Sequence, residues 1–208
     1  FYSLFNPGNF FIVQRREWEI IKILKRYGIT SLEDKKILDV GCGTGGELRN
    51  LVHYGARPEN LFGIDLLQDR IAEAKKISPN IDFRCGDASE LPYENESFDT
   101  VMQFTLFTSV LDMQMKRNIA KEMLRVLKPN GIIVWYDYHM GNPKNPDVRG
   151  IRKREVHELF QGCEIFLKRI TLAPPITRIM APYSWLVCYF VEKLKVFNTH
   201  YIGVIKKS

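Results

Sequence analysis

This 208-residue chain is poor in several things. No apolar run reaches the roughly 18 residues of a membrane-spanning helix. The nearest, APYSWLVCYFV at 181–191, is closed by Glu192 and Lys193 and reads as a buried or interfacial helix. The four cysteines, Cys42, Cys85, Cys163 and Cys188, form no C-x-x-C and keep no zinc spacing with histidine. Scattered thiols suit a reducing, cytoplasmic compartment rather than a disulfide framework, and no metal site is expected. The opening residues lack the charged-then-apolar order of a secretory signal. Repeats and low-complexity tracts are missing too. What remains, 45% hydrophobic and 26% charged residues, is the composition of a soluble globular chain long enough for one domain with a sizeable core.

The net charge of +6 is uneven. Residues 1–112 carry 13 Lys/Arg against 17 Asp/Glu, a balance of −4, whereas residues 113–208 carry 17 against 7, a balance of +10. A basic second half either meets something anionic or is a solvated face.

Apolar residues between Phe10 and Leu24 recur near helical spacing and predict a helix over 10–27 that stops at Gly28. Short apolar runs then alternate with helical stretches. Strands are predicted at 36–40, 61–64, 81–84, 98–103 and 131–137, and helices at 46–54, 68–77 and 115–127. Such alternation implies an α/β fold, a parallel sheet with helices on both faces, whose ligands bind at the carboxyl ends of the strands. Lys128-Pro129-Asn130-Gly131 reads as a turn in which proline ends the helix and glycine permits the reversal. Beyond a turn-rich 139–150, a helix at 153–160 and strands at 163–171 and 199–206 flank a proline- and aromatic-containing insert.

The first strand runs into ILDVGCGTGGELRNLV, residues 37–52. Gly41, Gly43 and Gly46 satisfy the G-x-G-x-x-G dinucleotide fingerprint, and Asp65 lies 22 residues past Gly43, where a ribose-binding acid belongs. Asp39 argues against a dinucleotide. A carboxylate at the mouth of the strand would repel a pyrophosphate and attract an ammonium or sulfonium.

LDVGCGTG resembles the first motif of class I S-adenosylmethionine (SAM)-dependent methyltransferases. The companions follow in order: LFGIDLL, ending its strand at Asp65; IDFRCGDASELPYENESFDTV, with Asp87-Ala88; and EMLRVLKPNGIIVWYD. The resemblance covers about residues 30–137. It implies a Rossmann-like fold with a mostly parallel seven-stranded sheet, SAM as cofactor and S-adenosylhomocysteine as product. Gly41 and Gly43 would let the backbone turn and approach the cofactor, and N–H groups near Gly46 would face the methionyl carboxylate. Asp39 and Cys42 flank that loop. Asp65 would accept the ribose hydroxyls and Asp87 the adenine amino group, with the Ala88 N–H on a ring nitrogen. Leu66 would pack on adenine, and Gln103 and Phe104 would reach the methionyl end; plain core packing is the alternative for Leu66 and Phe104. Asp99 reads as structural, by local pairing or capping. The chain is then one domain: a lid helix over 1–28, a SAM-binding core over 30–137, and a substrate-side insert and sheet edge over 138–208. In the lid, Tyr2, Gln14 and Arg16 are contact candidates.

Methyl transfer needs a nucleophile held in line and a base only where that nucleophile keeps its proton. Many relatives carry a histidine just past the fourth strand; QFTLFTSVLD at 103–112 has none, only Thr105 and Ser109 at such positions. His139, beyond the fifth strand, is the candidate base. Tyr136, Asp137 and Tyr138 alternate along that segment, so only some face the pocket; Tyr138 is taken as a substrate contact. Arg149 could bind a phosphate or carboxylate with its planar fork, or form a surface ion pair. Tyr183 and Trp185 could stack on a flat substrate or simply pack a helix. The carboxyl half resembles type-11 methyltransferases of bacterial polysaccharide pathways, which implies a small-molecule acceptor, anionic or sugar-linked, methylated on a hydroxyl. No nucleic-acid partner is expected, because no N-P-P-Y segment and no Pro-Cys pair occurs. An RNA methyltransferase, a non-catalytic SAM-binding module and the dehydrogenase are the competing readings. The acceptor, the oligomeric state and a peripheral membrane contact stay open.

Overall fold

The computed structural model describes residues 3–141, 145 and 147–207. Tyr2 lies outside them, as does part of the turn-rich segment after His139. The first helix, α1 (Pro7–Arg26), starts three residues before its apolar periodicity does. The Asn6 side chain accepts from the Gly8 and Asn9 N–H groups and Pro7 occupies the first turn, while Lys25 and Arg26 close the last turn.

Strands β1 (Ile37–Val40), β2 (Leu61–Asp65), β3 (Asp82–Cys85), β4 (Phe98–Phe104) and β5 (Leu127–Tyr138) alternate with α2 (Gly46–His53), α3 (Gln68–Ile77) and α4 (Met113–Val126). Then come α5 (Lys153–Leu159), β6 (Cys163–Leu172), α6 (Pro174–Met180), α7 (Trp185–Lys193) and β7 (Asn198–Lys207). The seven-stranded sheet has the order β3-β2-β1-β4-β5-β7-β6. β1 to β5 pair in parallel and β7 runs antiparallel between β5 and β6. β1, flanked by β2 and β4, is the point where strand order reverses, and in such sheets ligands bind outside the carboxyl ends at that point.

Strand pleating gives the sheet two faces. Ile37, Met102, Val134, Tyr136 and Ile202 belong to one core, which also holds Ile20, Ile23 and Leu24 of α1 and Leu48 of α2. Leu38, Val40, Val101, Ile133 and Trp135 belong to the other, with Ile119 and Met123 of α4 and Val156 of α5. The α1 helix continues past the first core onto α6: a Cβ on Gly8 would lie 2.6 Å from the Arg178 backbone nitrogen. Glu19 anchors it to β6 through Lys168, and Arg15 anchors it to α7 through Glu192 at 2.7 Å.

Two local readings are refined. Asp99 is structural, accepting from the Lys36 N–H and from Lys128 Nζ at 3.0 and 2.9 Å. Gly131, expected to reverse the chain, sits inside β5, which already begins at Leu127. Glycine is needed there for close approach, because a Cβ would lie 2.6 Å from Leu127 Cδ1 and 2.9 Å from the Asp99 carbonyl oxygen.

Candidate active site

The loop leaving β1 is tied to the end of β2. The N–H groups of Gly41 and Cys42 both donate to the Ile64 carbonyl, at 2.8 and 3.0 Å. Gly43 has φ +54° and a Cβ there would meet nothing within 4 Å, so its bare backbone borders open space. Gly45 has φ +79°, and a side chain there would run into the Phe83 ring. Asp65 fixes this geometry: Oδ2 accepts from the Gly43 N–H at 2.9 Å and Oδ1 from the Leu67 N–H at 3.0 Å. Each carboxylate oxygen keeps a second lone pair for a ligand. α2 opens at Gly46 with no side chain capping its first turn, which leaves its leading N–H groups unclaimed by a cap.

Negative charge is concentrated beside this loop. Asp39 is buried and its Oδ1 has no partner among the described residues. Burial, then the nearby carboxylates of Glu47 and Asp65, push its carboxyl well above the usual range, against the pull of Arg16. Arg16, reaching down from α1, is bonded to Glu47 and leaves its own Nε buried without a partner among the described residues. One guanidinium thus faces the carboxyl groups of Asp39 and Glu47, with Asp65 beside Asp39. A ligand bringing an ammonium or sulfonium satisfies that imbalance, and a pyrophosphate worsens it.

Arg16 also lies over two rings, 5.5 Å from the Phe104 centroid and 5.4 Å from that of Tyr136. Tyr136 stacks on His200, and Tyr138 approaches the same imidazole at 3.9 Å. His200 is buried, and its Nδ1 is 2.9 Å from Thr199 Oγ1. Burial first, then Arg16 and His139, push its pKa down to about 3, so the ring is neutral. The Tyr136 hydroxyl meets Thr171 Oγ1 at 2.9 Å, and burial pushes its pKa up to about 12. Sequence reasoning missed His200: it belongs to no motif and lies about sixty residues beyond β5. Only the pairing of Tyr138 with His200 in the register of β5 and β7 brings it here.

His139 sits one residue past Tyr138, so pleating sends its ring to the face of Asp137. There it packs on Tyr201 at 4.7 Å, and its Nε2 is 2.8 Å from the Asn198 carbonyl oxygen. Burial holds its pKa below the usual value. Asp137, on that same face, is fully buried and accepts from the Phe107 N–H, the Thr108 hydroxyl and the Tyr138 N–H. It organises the turn after β4, where Thr105 adopts φ +58°, a left-handed conformation uncommon for threonine. Ser109 donates to the Thr105 carbonyl within that turn.

The other expected contacts differ in their surroundings. Leu66 is exposed rather than core. Asp87 is exposed and folds back on the Ser89 N–H at 2.8 Å; the neighbouring Ala88 is half-buried. Gln103 is fully buried: Oε1 accepts from the Leu106 N–H and Nε2 has no partner among the described residues. The Cys42 thiol turns into the core, where a Cβ on Gly63 would come within 2.8 Å of it. Arg149 forms the surface ion pair, 3.1 Å from Glu155, with its side chain 55% exposed. Gln14 and Tyr183 are exposed, and Trp185 packs edge-on against Phe10 and Phe11. An open hollow of about 440 Å³ lies at the opposite end of the sheet among Tyr27, Lys35, Asp99 and Lys128, away from all of these groups.

Comparison with known proteins finds similarity on the loop side of the sheet. Residues 37–131 match the sequence model of the family described as "Methyltransferase domain". A phthiotriol/phenolphthiotriol dimycocerosates methyltransferase of Mycobacterium ulcerans is 31% identical over 144 residues, 64% of this chain and 52% of that protein. A sterol 24-C-methyltransferase of Aspergillus fumigatus is 32% identical over 129 residues, 58% of this chain and 33% of that protein. The chain therefore spans about half the length of these relatives or less. A SAM-dependent methyltransferase structure from Methanosarcina mazei superposes with a TM-score of 0.66 at 19% identity, covering 89% of this chain and 96% of the other. The match over 37–131 leaves out α1 and everything after the opening residues of β5. Residues 37–131 are thus similar in sequence to a methyltransferase domain, and the chain shares its fold with the Methanosarcina mazei structure.

Proposed function

We propose that this chain transfers a methyl group from SAM to a small-molecule acceptor, a hydroxyl of a sugar or glycan intermediate. The observation that carries the reading is the unpaired, buried Asp39 beside Asp65 and Glu47, a set of carboxyl groups in need of a cation. SAM, when bound, supplies an electrophilic methyl group on sulfur. Asp39 would accept the methionyl ammonium, Asp65 the ribose hydroxyls, and Asp87 with the Ala88 N–H the adenine edge, with Leu66 over the base. Gly41, Gly43 and Gly46 would leave their backbone open to the methionyl end. The basic second half suits an anionic acceptor, nucleotide-linked or lipid-phosphate-linked. Four free cysteines, among them the exposed Cys85, suit a reducing, cytoplasmic address.

Two imidazoles are available for the acceptor hydroxyl. His139 keeps Nδ1 as an acceptor if Nε2 donates to the Asn198 carbonyl. His200, beside Tyr136 and Tyr138 and on the face of Asp39, is favoured by position. Neutral at physiological pH, it can accept the hydroxyl's hydrogen bond and orient its lone pair toward the methyl group. Tyr138, Tyr183 and Arg149 are acceptor contacts in this reading.

Calorimetry with SAM on Asp65→Ala tests the cofactor assignment. Losing two charge-assisted hydrogen bonds should weaken binding by about a hundredfold; unchanged affinity, or stabilisation by NAD rather than SAM, would overturn it. With an acceptor in hand, His200→Ala should lower kcat while SAM affinity holds. If His139→Ala alone does so, the role returns to His139.

A further inference from the structure

The α7 helix is built inside out. Its one carboxylate, Glu192, is buried, bonded to Arg15 at 2.7 Å and accepting from the Thr171 N–H at 3.3 Å, while Cys188 one turn earlier is buried beside it. The outward positions are apolar. Tyr183, Leu186, Phe190, Leu194, Val196 and Phe197 are between 49% and 89% exposed. A water-facing helix places these residue types the other way round. Phe10 of α1, which is exposed, continues the patch beyond Trp185.

Charge decides what suits this face. Every charged residue exposed between 182 and 197 is a lysine, Lys193 or Lys195, and the segment's single acid is the buried Glu192. Lys193 lies over the Tyr189 ring, 4.9 Å from its centroid, its stem along the apolar surface. A second copy docked two-fold would bring lysines together with no exposed acid of this segment to pair them. An anionic lipid surface offers hydrocarbon for Leu186 and Phe190, an interface for the aromatic rings and phosphates for the lysines.

We propose that α7 and its flanks form a docking surface for an anionic lipid bilayer, lying in the interface without crossing it. No described helix is long and apolar enough to cross. The segment leads directly into Asn198, whose Nδ2 donates to the Glu192 carbonyl at 3.1 Å, and so to His200. The docked face therefore adjoins the acceptor side of the sheet. The inference stands apart from the methyl-transfer reading, since docking is measured without cofactor.

The test is co-sedimentation with phosphatidylcholine vesicles, with and without phosphatidylglycerol, alongside light scattering of the protein alone. The chain should sediment with the anionic vesicles. Leu186→Glu with Phe190→Glu should abolish this, and Lys193→Gln with Lys195→Asn should weaken it roughly tenfold or more. All four positions are exposed, and an unchanged melting temperature confirms that the variants fold. Failure to sediment with either vesicle would overturn the proposal. So would a dimer of the parent chain that the glutamate variants dissociate, because the face would then belong to a second copy.

Discussion

The ring of Tyr136 lies flat on that of His200, centroids 4.5 Å apart and planes 11° from parallel, with the Arg16 guanidinium over the tyrosine. A strand from the cofactor half, a strand from the end of the chain and the amino-terminal helix meet at this stack. Arg16 helps keep the imidazole uncharged, and the imidazole in turn lets a guanidinium sit over the neighbouring ring without a second cation against it.

This stack makes stability depend on pH. His200 binds its proton near pH 6.5 when unfolded but only near 3 in the fold, so its contribution is lost as pH falls through that window. Asp137, raised by burial to about 6, acts in the opposite sense: its ionisation costs stability as pH rises from about 4 to 6. Urea unfolding of the parent chain and His200→Gln from pH 7 to pH 4 separates the two. The variant should gain on the parent as pH falls, by at most about 1.4 kcal/mol per pH unit. A difference independent of pH would show that His200 does not titrate in this way.

Asp39→Asn should move stability and cofactor affinity in opposite directions. Removing an unpaired buried carboxyl beside Glu47 and Asp65 should raise the melting temperature of the unliganded chain, because like charges crowd the site. The same change should weaken SAM binding about tenfold or more, through loss of a charge-assisted contact. Thermal shift with and without SAM reads both effects, and a variant that loses both or gains both contradicts the assigned role.

Glu155 has two basic partners of unequal worth. Lys116 is fully buried and 2.6 Å away, whereas Arg149 is exposed and 3.1 Å away. Lys116→Met should cost about 2 kcal/mol or more by leaving the mostly buried carboxylate only its exposed partner. Arg149→Ala should cost less than about 0.5 kcal/mol. Urea midpoints check the ranking, and a raised acceptor KM in Arg149→Ala would assign that side chain to substrate as well.

Gly131→Ala should destabilise by about 1–3 kcal/mol through overpacking against Leu127 and the Asp99 carbonyl. A neutral outcome by thermal denaturation would mean that β4 and β5 can part locally at no cost.

The parallel half of this fold was legible because its signals are local. Glycines next to an apolar run and acids at strand ends each act within a few residues. The acceptor half was not, because its decisive relationships are long-range. His200 acquires meaning only from the antiparallel register with Tyr138. Pleating then separates His139 from the face its place in sequence suggested. The apolar run at 181–191 was recognisable as helix, but which side would face outward depended on Glu192 meeting Arg15 of α1. Gly131 looked like a turn residue because sequence alone could not reveal the closeness of Leu127.

Placing β7 between β5 and β6 also imposes an order on synthesis. Until residues 198–207 emerge, β5 presents an open, strongly apolar edge, and β6 has no neighbour in the sheet. The glycine loop and its acids can assemble early from nearby segments, whereas the acceptor side waits for the last strand to thread into place. A nascent chain stalled before Asn198 should therefore be able to form its glycine loop and the acids beside it while holding out an unpaired strand, the state in which a chaperone would be most needed.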